Sequence, residues 1–178
     1  MKRIYTIGHS THTLEEFIEM LQSFEIQHLV DIRGLPGSNK YPQFNKENLE
    51  VVLPEKGIAY THLTLLGGRR KVHKDSKNTR WHNESFRAYA DYMETYDFEK
   101  GIAQLIAIAE KETTAYMCAE AVWWRCHRSM ISDYLKAKGW QVKHIMAIGK
   151  EEPHRYTAPA RIIGDRVVYY DDGEILNL

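Results

Sequence analysis

The chain has 178 residues, with 43% hydrophobic and 27% charged side chains and a formal net charge of zero. These values fit a globular domain with a substantial core and exclude a disordered, collagen-like or solenoid chain. No apolar run approaches the roughly 18 residues of a membrane span, and zero net charge gives no global attraction for nucleic acid or an anionic surface.

The chain opens on an apolar run, Ile4 to Ile7, read as a strand ending at Gly8. This start lacks the features of a secretory signal, and two cysteines are too few for a disulfide scaffold, so a reducing, cytoplasmic setting is expected. Thr13 with Glu16 has capping-box spacing, ahead of a helix whose Leu14, Phe17, Ile18 and Leu21 share one face. His28 to Ile32 is expected as a second strand and Arg33 to Phe44 as a loop. Asn45 then caps a helix that ends at Lys56, with Gly57 left-handed after it.

Ile58 to Leu63 is the third expected strand, followed by a polar loop from Gly67 to Asn83. Helices are expected over Glu84 to Thr95 and Phe98 to Lys111. Thr114 to Met117 reads as a strand, His127 to Lys138 as a helix stopped by Gly139, and Gln141 to Ile145 as a fifth strand. Pro153 and Pro159 mark a connector. Arg161 to Tyr170 reads as a terminal hairpin, and Asp171-Asp172-Gly173 as a further turn.

Alternating strands and helices predict an α/β, three-layer sandwich with a mostly parallel, Rossmann-like sheet of about five strands plus the C-terminal hairpin. A single domain is expected, with residues 1–146 as the core and 147–178 as connector and hairpin. Ligands of such sheets bind beyond the strand C-termini. The sequence puts Gly8, His9 and Ser10 there after the first strand, Arg33 after the second, and Gly67, Gly68 and Arg69 after the third. Cys118, Glu120, Arg125, Cys126, His127 and Arg128 follow the fourth.

Thr6 to Ser10, Asp31-Ile32-Arg33, Leu66-Gly67-Gly68, Cys118-Ala119-Glu120 and Cys126-His127-Arg128 together resemble the bacterial and archaeal family catalogued as domain of unknown function 488. The resemblance covers the first strand to about Met146. It implies an α/β sandwich with these motifs in one cleft and carries no activity. Ala121 to Trp124 is more apolar than the family's usual linker.

The stretch from Cys118 to Arg128 leaves a strand and enters a helix. Free helix N-terminal N–H groups, with Arg125 and Arg128, would suit an anion such as phosphate. The same field would lower the pKa of Cys126 first and of Cys118 second, and leave a thiolate nucleophilic beside His127. Glu120 is either a catalytic carboxylate or an ion-pair partner of Arg125 or Arg128. Arg33 either reaches the cleft or only buttresses Asp31, and His9 and Ser10 either bind substrate or serve the turn. The Cys118 to Arg125 spacing is one residue too long for a cysteine-phosphatase loop. Phosphate-loop and nucleophile-elbow signatures are absent.

The resulting expectation is an enzyme acting on a phosphate-bearing substrate, a nucleotide or nucleic acid. Cys118, Glu120, Cys126 and His127 would be catalytic, and His9, Ser10, Arg33, Gly67, Gly68, Arg69, Arg125 and Arg128 would bind substrate. Trp81, Trp123 and Trp124 are the candidate base-stacking groups. A non-catalytic nucleotide or nucleic-acid binder would lean instead on Arg69 and Arg70, in the basic stretch that runs on to Lys77 and Arg80, and not on the thiols. A metal site would draw on Cys118, Cys126 and His127, completed by His9, His62 or Glu120. No membrane contact or cofactor is expected, and nothing in the sequence sets the oligomeric state.

Overall fold

The computed structural model describes residues 2–171. Its sheet has six strands, β1 (Arg3–Gly8), β2 (His28–Asp31), β3 (Ala59–His62), β4 (Thr114–Cys118), β5 (Gln141–Ala147) and β6 (Lys150–Pro153), in the order β3-β2-β4-β1-β5-β6. All neighbours are parallel except β5 and β6. A separate antiparallel hairpin, β7 (Arg161–Ile163) and β8 (Arg166–Val168), forms the expected C-terminal element. The turn at Asp171 to Gly173 lies outside the described residues from position 172 onward.

Helices α1 (Leu14–Ser23) and α2 (Lys46–Glu55) cover one face, burying Phe17, Leu21, Leu49 and Leu53 against Tyr5, Ile7, Leu29 and Met117. Helices α3 (Glu84–Tyr92), α4 (Tyr96–Lys111) and α5 (Arg128–Ala137) cover the other, where Tyr89, Phe98 and Met130 meet Ile4, Val30 and Tyr116. The alternation of Ile4 and Tyr5, Leu29 and Val30, and Ala115 and Tyr116 between the two cores is the period-2 signature of strands buried on both sides. The architecture is therefore three-layered.

Local chemistry sets several boundaries. Thr13 accepts from the Glu16 N–H at 3.1 Å, while the Glu16 carboxylate turns to His12, so half of the capping box forms. Gly57 and Gly139 take positive φ (77° and 96°) where α2 and α5 end. Asn45 is the N-cap of α2, but its side chain accepts from Ser38 N–H at 2.7 Å.

The sheet has one strand more than the sequence suggested. β6 lies in what read as connector. It is a polar edge strand without apolar alternation, entered through a turn at Gly149 with φ 69°. No helix of the described residues is long and apolar enough to cross a membrane.

Candidate functional site

The connection after β2 leaves to the α2 face, while that after β4 leaves to the α5 face, so the two adjacent strands diverge at their C-terminal ends. Ile32 N–H still donates to Met117 C=O at 3.0 Å, and beyond that pair a cavity of about 480 Å³ opens. Its walls include Arg33, Gly68, Arg69, Phe86, Glu120 and Arg125, with Cys118, Cys126 and His127 at its base. This is the crevice position expected for ligands of open α/β sheets.

The corresponding gap between β1 and β4 is closed. His9 N–H donates to Cys118 C=O at 3.0 Å and Ser10 N–H to Ala119 C=O at 2.9 Å. A Cβ on Gly8 would fall 1.7 Å from the Glu120 carbonyl oxygen, so glycine lets the two loops meet. His9 stacks on Phe44 with centroids 4.5 Å apart, and its Nδ1 pairs with Ser10 C=O. Burial pushes its imidazole pKa down. His9 and Ser10 thus lie at this junction and not on the cavity wall.

Arg33 reaches the cavity with its guanidinium already engaged. It donates to both carboxylate oxygens of buried Asp31, at 2.9 and 2.8 Å, and to Phe44 C=O at 2.6 Å. Tyr60 adds a hydroxyl donor to Asp31 at 2.5 Å. Gly67 packs beneath the wall, where a Cβ would approach Gly34 Cα to 2.9 Å. Gly68 admits the His127 ring, since a Cβ there would lie 2.6 Å from Nδ1. The charged groups of Arg69, Glu120 and Arg125 are exposed in the cavity mouth, and none pairs with another described residue. The ion pair considered for Glu120 does not form.

The helix N-terminus differs from expectation. Arg128 N–H points to Cys126 Sγ at 3.5 Å, and Ser129 N–H donates to Cys126 C=O at 3.0 Å. These first donors are consumed by the turn that enters α5, so they are not free for an anion. Arg128 also departs from its expected place. Its side chain has no exposed surface and turns behind the cavity, where Nη2 donates to Ala121 C=O at 3.3 Å and Nε and Nη1 find no partner among the described residues.

That buried cation acts on the thiols. Burial raises the Cys118 pKa, but a hydrogen bond from Cys126, the Arg128 charge and the Glu120 backbone together lower it below the ordinary thiol value. Burial and the neighbouring Cys118 sulfur push Cys126 well up. Of the two sulfurs, Cys118 is therefore the one that ionises more readily, and Cys126 the one that holds its proton.

Burial lowers the His127 pKa to about 4, against hydrogen bonds to the Ile32 and Leu66 carbonyls. A carbonyl only accepts, so Nε2, 3.3 Å from Ile32 C=O, carries the hydrogen. Nδ1 is left to accept from the Cys126 thiol at 3.4 Å. The Cys126 proton consequently has two acceptors, the Cys118 sulfur and His127 Nδ1. His62 is spent on Arg33 C=O at 2.6 Å. Among the described residues no group of three His, Cys, Asp or Glu side chains is arranged to hold a metal ion.

A family profile described as domain of unknown function DUF488 matches residues 13–135, well over half of the chain. The chain belongs to the DUF488 family. The DUF488 match takes in Asp31 to Arg33, Leu66 to Gly68 and Cys118 to Arg128, but leaves out Thr6 to Ser10 and everything after Leu135. No curated protein and no solved structure matches the chain.

Sequence reasoning missed two parts of this DUF488 site. Phe86, at the start of α3, lines the cavity. Behind Arg128 runs a buried chain in which Thr6 Oγ1 meets His144 Nδ1 at 2.6 Å, His144 Nε2 meets His154 Nδ1 at 2.8 Å, and His154 Nε2 meets Asp133 at 2.8 Å. Trp123 stacks on His144 with centroids 4.6 Å apart and planes 5° from parallel, which anchors the loop carrying Arg125. The available signal was a polar residue on an otherwise core-facing position, as with His144 two residues after Val142.

Proposed function

We propose that this DUF488 protein is an enzyme acting on a phosphate-bearing substrate, a nucleotide or nucleic acid, in the cavity between the ends of β2 and β4. One observation carries the reading: two buried thiols line the cavity, and behind it lies a fully buried guanidinium with two donors that have no partner among the described residues. A structural arginine is normally paired, whereas this one favours a thiolate.

In this reading Arg69 and Arg125 hold the anionic group, because their guanidiniums reach the cavity mouth without partners among the described residues. Cys118 is the nucleophile. Glu120 is the carboxylate within reach for proton transfer, and His127 takes the proton from Cys126. Gly67 and Gly68 shape the wall, Arg33 buttresses it from Asp31, and Arg128 acts from behind.

A second cavity of about 400 Å³ favours a substrate bearing a nucleobase. Trp81, Trp124, Arg155 and Tyr156 line it, and aromatic faces stack bases whatever their sequence. Trp123 is occupied by His144. The binding-only reading has less support. Arg70 stacks on Tyr92 at 3.5 Å, Lys77 pairs with Glu94, and Arg80 with Asp171, so much of the basic stretch serves the fold. Two free cysteines suit a reducing, cytoplasmic setting.

Thermal unfolding with nucleotides, short single strands and inorganic phosphate tests the reading. A ligand at about 100 times its dissociation constant adds roughly 2.7 kcal/mol and raises the melting point by several degrees. The expected result is a shift lost in Arg125→Ala and retained in Cys118→Ser, with turnover of that ligand abolished by Cys118→Ser. Full turnover by Cys118→Ser would overturn the assignment.

A further inference from the structure

We propose that Cys118 and Cys126 are a peroxide-reactive redox couple that closes to a disulfide. Both sulfurs are free, both line the same cavity, and both have a built-in partner for their role. Behind the cavity lies Arg128, a cation with no exposed surface and two N–H donors that have no partner among the described residues. Cys126 lies 3.4 Å from His127 Nδ1, which is free to accept a proton. The cavity admits a small oxidant to a thiol pair that is otherwise buried.

The Cys118 thiolate attacks one oxygen of hydrogen peroxide. An S–O bond forms, the O–O bond breaks, and hydroxide leaves, so sulfur is oxidised to sulfenic acid as peroxide is reduced. The Arg128 charge behind the cavity favours the thiolate form that makes this attack. Cys126 passes its proton to His127 Nδ1 and attacks the Cys118 sulfur. The S–S bond forms, and hydroxide leaves and takes the proton from His127 as water. An external dithiol restores the pair by exchange, returning both thiols. Closure removes the nucleophile assigned above, although the couple does not depend on the substrate chosen there.

The test treats the folded full-length protein with stoichiometric hydrogen peroxide and follows intact mass and non-reducing peptide maps. The expected product is two hydrogens lighter, carries a Cys118–Cys126 linked peptide, and reverts with a dithiol. Cys126→Ser should stop at a sulfenic acid on Cys118 that a dimedone probe captures. Arg128→Met should slow Cys118 oxidation roughly tenfold, the effect of about one pKa unit on the thiolate fraction. A peptide map showing both thiols unreacted, or each oxidised separately with no linked peptide, would overturn the couple. These readouts need no substrate, so their failure is distinct from failure of the proposed reaction.

Discussion

The charge of Arg128, whose guanidinium has no exposed surface, joins the hydrogen bond from Cys126 in lowering the pKa of the buried Cys118 thiol. Among the described residues no carboxylate pairs with this guanidinium. An uncompensated buried cation is costly, and the thiolate is the anion at hand. Arg128→Met should return the Cys118 titration toward the ordinary thiol range or above it. Thiolate ultraviolet absorbance against pH, recorded in Cys126→Ser with and without Arg128→Met, measures the shift. Coincident curves would contradict it.

Arg33 is held by Asp31 in a bidentate pair, with Asp31 fully buried. Removing one member strands the other. Arg33→Ala should therefore cost about 3–5 kcal/mol of stability, read as a lower urea midpoint. Asp31→Asn should cost a similar amount, and the double variant less than the sum, because both remove the same interaction. A loss below about 1 kcal/mol for either single change would mean that the pair is solvated.

Gly8 and Gly68 mark close approaches. At Gly8 the obstacle is backbone, the Glu120 carbonyl, so Gly8→Ala must part the β1 and β4 loops. At Gly68 the obstacle is a side chain, the His127 ring, which must shift away from the cavity wall. Overpacking costs typically 1–3 kcal/mol, and Gly8→Ala should fall at or beyond the top of that range. Gly68→Ala should cost less but change Cys126 reactivity. Denaturation and thiol alkylation compare the two.

Acid should destabilise the protein through its buried imidazoles. Burial lowers His127 to about 4 and His144 well below its ordinary value of 6.5. Between those folded values and 6.5 the unfolded chain binds the extra protons. Stability is therefore fully present above about 6.5 and falls as pH drops toward 4, by up to about 1.4 kcal/mol per pH unit for each histidine. Melting curves across this window should show a shallower fall in His144→Gln than in the unsubstituted protein. Equal slopes would remove His144 from the account.

Much of this was legible in the sequence because it is local. Thr13, Gly57 and Gly139 mark helix ends by chemistry confined to a turn, and the C-terminal edge rule places Cys118, Glu120 and Arg125 in one crevice. What was not legible depends on tertiary packing. Arg128 reads as a cleft residue from its position at a helix start, yet its side chain turns inward. Asp133 in α5, His144 in β5 and His154 just after β6 meet only when β6 adds to the sheet edge. Arg33 was ambiguous in sequence, since reaching the cavity and pairing with Asp31 are both what its side chain does.

The central claim is an anion-accepting cavity with a thiolate at its base. Alkylation of the folded protein by iodoacetate and by iodoacetamide across a pH series tests both halves at once. Cys118 should be modified ahead of Cys126, with a midpoint below that of an ordinary thiol. Anionic iodoacetate should also be preferred, and Arg69→Ala and Arg125→Ala should remove that preference. Alkylation with an ordinary midpoint and no preference for the anionic reagent would contradict it.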